Sequence, residues 1–338
     1  MLFENVVVAG IGCVDPPLRV TSADIEDRLS QTMHRIGMRG GLLEQLAGIK
    51  ARRYWPDGVT PSNAATLAAR KVIEQTGVDP NRIGLLVNTS VCRDFLEPST
   101  ACLVHGQLEL PPTCLNFDLG SACVAFIDGM DVAAAMIQRG DMDYALVVDG
   151  ENCRHVTEAT IERLRGPETT ADQFRSEFAS LTLGSGGVAM LLARADVEPD
   201  GHRYRGGVRR AATEHRHLCK GHPDRMTTDT KGLLLAGLAI AHRTYVAAQE
   251  ALRWKPEDLD HLCIHQVSAV HTAELAKTLG FSPEKPYLIF PEYGNVGPAS
   301  IPIVLAKLYE EGRLRTGDRI ALMGIGSGLN CAMAEIVW

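Results

Sequence analysis

A cysteine, a histidine and an asparagine, far apart in the sequence, are the residues that could act together on a thioester. Cys123 directly precedes an apolar run, and His265 directly follows the short apolar run 261–264. Asn295 stands in a Gly-Asn turn. A thiol can hold an acyl group, and His and Asn side chains can donate hydrogen bonds to a carbonyl oxygen that becomes an enolate. Carbon–carbon bond formation on thioesters requires these groups.

Each of the three residues also has a plainer explanation when it is taken alone. Most free cysteines are inert buried thiols, a histidine after a strand is more often structural, and Gly-Asn is a common turn. Cys123 therefore needs a partner from elsewhere in the chain before it can be interpreted as a nucleophile. The His- and Cys-rich stretch 214–222 has the density of a metal site, but no second ligand cluster accompanies it, and we predict no metal.

The residues after Cys123 predict a buried helix. From Val124 to Arg139 the apolar residues fall on nearly every side of a helix, which is typical of a helix in the middle of a large domain. Cys123 would lie at its N-terminus. Unpaired N–H groups and the helix dipole there stabilise a thiolate and an oxyanion alike.

Strands and helices alternate along the whole chain, which predicts mixed α/β layers. Apolar runs predict strands at residues 6–10, 83–90, 144–150, 184–192, 261–264, 319–323 and 331–337. Capping residues and glycines predict helices after Ser22 and at 62–73, 124–139, 157–178, 233–252, 272–279 and 299–311. Charge, proline and glycine cluster at 196–201, so we divide the chain into halves 1–195 and 196–338.

The composition narrows the class of protein. The chain has 338 residues, of which 45% are hydrophobic and 22% are charged, and it can bury a sizeable core. Its net charge of −7 argues against non-specific nucleic-acid binding. No apolar run approaches the ~20 residues of a membrane span, and the N-terminus does not resemble a signal peptide. Nine cysteines without a Cys-x-x-Cys pair indicate reduced thiols and a cytoplasmic protein.

Five motifs in order along the chain resemble the thiolase superfamily, in its β-ketoacyl synthase III-like branch. They are Ala47–Arg52, Cys123 in its small-residue turn, His265-Gln266, Gly294-Asn295 with 299–302, and the glycine turn 324–328. The resemblance implies a five-layered αβαβα thiolase fold with two pseudo-symmetric halves. Residues 1–195 would carry Glu97 and Cys123, and residues 196–338 would carry His265 and Asn295. It also implies a homodimer.

Glu97 decides the subfamily. Synthase III enzymes usually carry an apolar residue at this place, whereas the OleA-type enzymes, which join two long-chain acyl-CoAs, carry a glutamate. Condensation with a malonyl thioester generates a carbanion by decarboxylation, but two fatty acyl thioesters require removal of a proton by a base. Taken alone, Glu97 is more simply a solvated loop residue. The resemblance implies instead that it is the base, and that its loop crosses the dimer interface to serve the partner's active site.

The resemblance implies a complete reaction. Cys123 takes an acyl group from a long-chain acyl-CoA, and Glu97 deprotonates a second acyl-CoA while His265 and Asn295 stabilise the enolate. The N–H groups of Cys123 and Ser327 form the oxyanion hole. The product is a 2-alkyl-3-oxo acid, the first intermediate of long-chain olefin biosynthesis, which could pass to downstream hydrocarbon-pathway enzymes. The implied enzyme is an acyltransferase that needs no cofactor beyond the CoA of its substrate.

Three alternatives stay open, together with one departure from the family pattern. The chain could be a 3-oxoacyl-[acyl-carrier-protein] synthase III that uses malonyl-ACP, an acyl-CoA thioesterase or acyltransferase acting through Cys123, or a non-catalytic subunit. In synthase III enzymes a Trp and an Arg sandwich the CoA adenine, but Leu42 and Leu46 occupy these positions here. CoA must be held differently. Arg52, Arg53 and the basic run 203–210 are candidates to which the sequence assigns no role.

Overall fold

The computed structural model describes residues 1–338. Its strands are β1 (Val6–Val14), β2 (Leu18–Thr21), β3 (Ala51–Tyr54), β4 (Ile83–Asn88), β5 (Leu115–Asp118), β6 (Tyr144–Glu151), β7 (Gly186–Arg194), β8 (His202–Ala211), β9 (Cys219–His222), β10 (Arg225–Thr228), β11 (His261–Ile264), β12 (Arg319–Gly326) and β13 (Asn330–Val337). Its α-helices are α1 (Ser22–Arg35), α2 (Leu42–Ala47), α3 (Pro61–Thr76), α4 (Thr100–Gln107), α5 (Ala125–Arg139), α6 (Arg154–Leu164), α7 (Ala171–Glu177), α8 (Thr230–Leu252), α9 (Ala269–Leu279), α10 (Phe290–Tyr293) and α11 (Ser300–Glu310).

Nine strands form one sheet in the order β11-β12-β13-β8-β1-β7-β6-β4-β5. In the first half of the chain β5, β4 and β6 are parallel, and β7 and β1 continue antiparallel. The second half repeats this pattern, because β11 and β12 are parallel and β13 and β8 follow antiparallel. Only Val7 and Val8 of β1 pair with β8, so the junction between the halves is narrow. The predicted pseudo-symmetry is confirmed, whereas the boundary at 195/196, between β7 and β8, stays a prediction.

The helices cover both faces of each half-sheet. The largest apolar core joins α5 and α11 to strands from both halves, so these two helices form the central layer. A second core joins α3 and α4 to the outer face of the first half, and a third joins α8 and α9 to the outer face of the second half. Parallel strands with both faces covered account for the continuous apolar runs in the sequence. The predicted five-layered αβαβα fold is confirmed.

Two segments differ from the sequence-based expectations. The polar stretch 157–178, predicted as one helix, forms the two helices α6 and α7. The basic run 203–210 forms β8 within the large sheet, where Arg203 and Arg210 are exposed and Arg205 and Arg209 are half-buried. Arg205 of this strand pairs with the buried Glu335 at 2.8 Å, and Arg209 pairs with Asp128. These ion pairs explain how a strongly basic strand can lie within the sheet. No helix is both long and apolar enough to cross a bilayer.

Candidate active site

Cys123 lies in a tight turn directly before the central helix α5. A single 3-10 turn, Ala122–Val124, leads into this helix. Ala122 has a φ of 47°, a left-handed conformation that residues other than glycine seldom adopt. The predicted position of Cys123 at the helix N-terminus is confirmed, and the residue is half-buried. The positive end of the helix dipole favours negative charge on the sulfur or on an acyl oxygen.

The end of β12 packs directly onto the Cys123 turn. A Cβ built on Gly326 would lie 3.2 Å from the Cys123 amide nitrogen and 3.1 Å from the Ser121 carbonyl oxygen. A Cβ on Gly324 would lie 2.9 Å from a valine methyl group of the same turn. Both glycines therefore permit a close backbone approach that a larger residue would obstruct. Ser327, the predicted oxyanion-hole residue, follows directly in the turn after β12 and is half-buried.

His265 is held at the end of β11 by its backbone and by its neighbour. The His265 amide N–H donates to the Met323 carbonyl of the adjacent strand at 2.9 Å. The fully buried Gln266 accepts the amide N–H groups of residues 289 and 290 on its side-chain oxygen, at 2.9 and 3.2 Å. Gln266 therefore ties the strand end that carries His265 to the segment that leads to Asn295.

The imidazole of His265 is neutral and unpartnered. The residue is 3% exposed, and neither ring nitrogen has a hydrogen-bond partner. Burial, followed by the proximity of His271, lowers the pKa of His265 to about 3. At neutral pH the ring therefore carries one N–H donor and one acceptor nitrogen. Because buried polar groups are normally bonded, an unpartnered ring in this position is suited to a substrate oxygen.

Asn295 lies in a turn whose backbone is bonded on both sides. Its N–H donates to the Thr182 carbonyl and its own carbonyl accepts the Gly184 N–H, both at 2.9 Å. Its side-chain oxygen accepts the Gly297 N–H at 3.0 Å, so the side-chain NH₂ group is the one left to donate. A hydrogen-bond donor of fixed orientation is what an enolate oxygen requires.

The turn after Asn295 brings the three residues together. Residues 297–299 pack against the Cys123 turn, residues 122–124. The backbone of Gly297 lies close to the His265 ring, although the geometry is not that of a hydrogen bond. Residues from both halves of the chain therefore lie close to the Cys123 turn, although more than 140 residues separate Cys123 from His265 in the sequence.

The Cys123 thiol is protonated at neutral pH in this environment. Burial raises its pKa to about 12, and the neighbouring Cys219 and Glu151 act in the same direction. Because the thiolate is the nucleophile, acyl transfer must include loss of this proton. The N-terminus of α5 can stabilise the negative charge that the sulfur carries once this proton is lost.

Glu97 does not join this group within one protomer. It lies on the connection between β4 and α4, residues 89–99, which we call the Glu97 loop. Glu97 is exposed and has no hydrogen bond or ion pair. Its neighbours Phe95 and Leu96 are apolar yet 58% and 96% exposed. A loop tip that presents large apolar side chains to solvent is typical of a surface that another chain covers.

The arginines considered for CoA binding are largely committed to other contacts. Arg52 is fully buried and donates to the Ser22 hydroxyl at 3.1 Å and to the Leu181 carbonyl at 2.8 Å. It is therefore excluded as a ligand of CoA phosphates. Leu42 and Leu46, which stand where synthase III enzymes carry Trp and Arg, lie on α2, and Leu46 is exposed.

Sequence reasoning missed a buried acidic pair at the end of β6. Asp149 and Glu151 are buried, and burial raises the pKa of both carboxyl groups. The signal was available, since two acidic residues at i and i+2 interrupt the end of an apolar strand. Glu151 also belongs to the chain's one group of three potential metal ligands, with Cys92 and Cys153. The stretch 214–222, singled out in the sequence, forms no such group.

The similarity of this chain to known proteins extends along its whole length. Residues 117–204 match the 3-oxoacyl-[acyl-carrier-protein] synthase III family, and residues 249–338 match the C-terminal domain of that family. An acyl-CoA:acyl-CoA alkyltransferase from Xanthomonas campestris is 54% identical over 338 residues, which is 100% of both chains. An acyl-CoA:acyl-CoA alkyltransferase from Shewanella oneidensis is 32% identical over 350 residues, again covering 100% of both chains.

A solved structure extends this similarity to the fold. A cysteine-to-serine variant of Xanthomonas campestris OleA, with bound lauric acid and lauroyl-CoA, matches with a TM-score of 0.98 and 53% identity over 100% of both chains. The non-catalytic alternative is thereby set aside. This chain is an acyltransferase of the thiolase superfamily and belongs to the OleA-type family of acyl-CoA:acyl-CoA alkyltransferases.

Proposed function

We propose that the enzyme joins two long-chain acyl-CoAs head to head in a non-decarboxylative Claisen condensation. Cys123 attacks the first acyl-CoA, and CoA leaves as the thioester forms. Glu97 removes an α-proton from the second acyl-CoA, and the carbanion attacks the Cys123 thioester and releases the sulfur. Hydrolysis of the remaining CoA thioester gives a 2-alkyl-3-oxoalkanoate and a second CoA.

The arrangement around Cys123 supports the oxygen-stabilising roles. The neutral His265 ring and the side-chain NH₂ of Asn295 each offer a donor to the enolate oxygen of the second substrate. The amide nitrogen of Cys123, at the start of α5, and that of Ser327 would bind the oxygen of the acyl thioester. None of these steps requires a cofactor, because each one transfers a proton or an acyl group.

The exposed apolar tip of the Glu97 loop is the observation that supports Glu97 as the base that removes the α-proton. We propose that a second copy of the chain covers Phe95 and Leu96 and that Glu97 enters the partner's active site. The enzyme would then act as a homodimer with two shared sites.

Mixed dimers test the sharing of sites. Chains carrying Cys123→Ala and chains carrying Glu97→Ala are co-expressed with different affinity tags, and the mixed dimer is isolated. If Glu97 serves the partner, this dimer retains one complete site and condenses acyl-CoA, although each homodimer is inactive. If Glu97 serves its own protomer, the mixed dimer is inactive as well.

Mass spectrometry after incubation with myristoyl-CoA alone tests the reaction itself. A doubled-chain β-keto acid, or the ketone formed by its decarboxylation, is the expected product. Free fatty acid with acylated Cys123 would instead indicate a thioesterase. A product that forms only after addition of malonyl-ACP would indicate a synthase III, the alternative that the matches to the synthase III family favour.

The product suggests a place for the reaction in metabolism. A 2-alkyl-3-oxo acid carries two long chains on adjacent carbons, which is the skeleton that an internal long-chain olefin requires. We propose that the enzyme catalyses the first step of olefin formation and that hydrocarbon-pathway enzymes take up the product. Nine unpaired cysteines support a reducing, cytoplasmic location.

A further inference from the structure

Glu151 is a buried carboxylate without a cationic partner. It ends β6 and is 1% exposed. Burial raises the pKa of its carboxyl group, while hydrogen bonds from the Cys92 thiol and from the Val91 and Cys92 backbone act in the opposite direction. A buried acidic group without a cation is costly unless hydrogen bonds satisfy its oxygens. Its hydrogen-bond donors therefore indicate what the residue holds in place.

Two of its donors are backbone N–H groups of the Glu97 loop. The Val91 amide N–H donates to Glu151 Oε1 at 2.6 Å, and the Cys92 amide N–H donates to Oε2 at 3.1 Å. Hydrogen bonds to a carboxylate are among the stronger ones in proteins. The loop is fixed once more at Asp94, whose carboxylate accepts the Ser62 N–H at 3.0 Å. Beyond Asp94 the tip is exposed, so its direction depends on these anchors.

The same carboxylate also lies against the active-site turn. A Cβ on Gly297 would be 3.6 Å from Glu151 Oε1, which is ordinary van der Waals contact. The N–H of Gly297 is bonded to Asn295. Glu151 therefore lies at the junction between the site of its own protomer and the loop that reaches outward from it.

We propose that Glu151 is a positioning residue that holds the base of the Glu97 loop, so that Glu97 enters the partner's active site in the correct orientation. This inference rests on the proposed function, in which Glu97 acts across the dimer interface. Glu151 also lies near Cys123 of its own chain and raises the pKa of that thiol, so condensation must be compared at equal acylation of Cys123. Its effect on condensation is carried by the Val91 and Cys92 backbone to a site in the other chain.

The mixed dimer tests this proposal, because Glu151→Gln can be placed in either chain. In the first arrangement it accompanies Cys123→Ala, in the chain that supplies Glu97. In the second it accompanies Glu97→Ala, in the chain that supplies Cys123. The rate of condensation is measured with myristoyl-CoA and divided by the fraction of Cys123 that becomes acylated. Glu168→Gln, at an exposed position, is the matched control in both arrangements.

We expect a loss of roughly tenfold or more in the first arrangement and less than about threefold in the second, because Gln places an N–H₂ group against a backbone donor. Equal losses, a larger loss in the second arrangement, or no loss would each overturn the proposal. If Glu151→Gln does not fold, Glu151→Asp, which shortens the side chain, is tested in the same arrangements. If the mixed dimer of Cys123→Ala and Glu97→Ala chains is inactive without any change at Glu151, the proposal of a shared active site is wrong. The role proposed for Glu151 is then wrong as well.

Discussion

The Cys123 turn and the Glu97 loop follow the ends of adjacent parallel strands, but they differ in how they pack within the protomer. The turn after β5 that carries Cys123 is half-buried and packs against β12 and residues 297–299. The loop after β4 is anchored as far as Asp94 and then projects apolar side chains into solvent. Strand ends at one sheet edge commonly supply an active site. Here one strand end supplies the site of its own chain, and the other is free to supply a second chain.

The largest effect is expected at the Cys123 turn. Cys123→Ala should abolish acyl transfer, with a loss of at least roughly 1,000-fold, because no other group can hold the acyl chain. Intact-protein mass spectrometry after addition of myristoyl-CoA should then show no acyl adduct. Cys102→Ala, at an exposed cysteine on α4, is the control and should acylate normally. An adduct on the Cys123→Ala chain would place the nucleophile elsewhere.

At the Glu97 loop, only the second half of the reaction should fail. Glu97→Ala should still form the Cys123 adduct but should condense roughly 100- to 10,000-fold more slowly, which is the usual range for loss of a general base. Product formation and adduct formation are measured on the same sample, with the exposed Glu168→Ala as a control. Normal condensation by Glu97→Ala would contradict the assignment of the base.

A smaller effect is expected where β12 supports the Cys123 turn. Gly326→Ala places a methyl group about 3.2 Å from the Cys123 nitrogen and must shift the turn by a few tenths of an ångström. We expect acylation to slow roughly tenfold, because small displacements of reacting groups are costly. Gly106→Ala on α4, where a Cβ meets no neighbour within 4 Å, is the control. Equal acylation rates for the two variants would show that the turn tolerates the displacement.

The smallest effect concerns the free energy of unfolding as a function of pH. The pKa of His265 is about 3 in the folded chain and 6.5 when unperturbed, so the unfolded chain binds a proton first as the pH falls. Stability is therefore lost from pH 6.5 downward, by about 2 kcal/mol at pH 5. His265→Asn should lose less stability between pH 7.5 and pH 5 than the parent chain in urea titrations.

The exposed His34→Asn is the control for this measurement and should follow the parent chain. If His265→Asn and the parent chain lost the same stability over this range, the imidazole would be accessible to water in the folded protein. The conclusion that the His265 ring is buried beside the Cys123 turn would then be wrong.

Much of the active centre could be predicted because its signals are local. The strand 261–264, and with it the position of His265 at a strand end, is read from four consecutive residues and is found at those bounds. The helix after Cys123 follows from apolar residues on all sides, and it forms the central layer. The ion pairs of the strongly basic β8 could not be predicted, because they depend on carboxylates as distant as Glu335.

The sequence by itself determined the alternation of strands and helices and the residue types at the reacting centre, because both depend on short-range patterns, and the resemblance of its motifs to a known family implied the αβαβα layers. Only the tertiary structure decided that Gly297 links Asn295 to His265 and that Glu151 binds the base of the Glu97 loop. Those contacts join strand ends that are distant along the chain. No local pattern records such a contact, because a carboxylate at the end of β6 looks the same in the sequence whether it meets water or a backbone N–H.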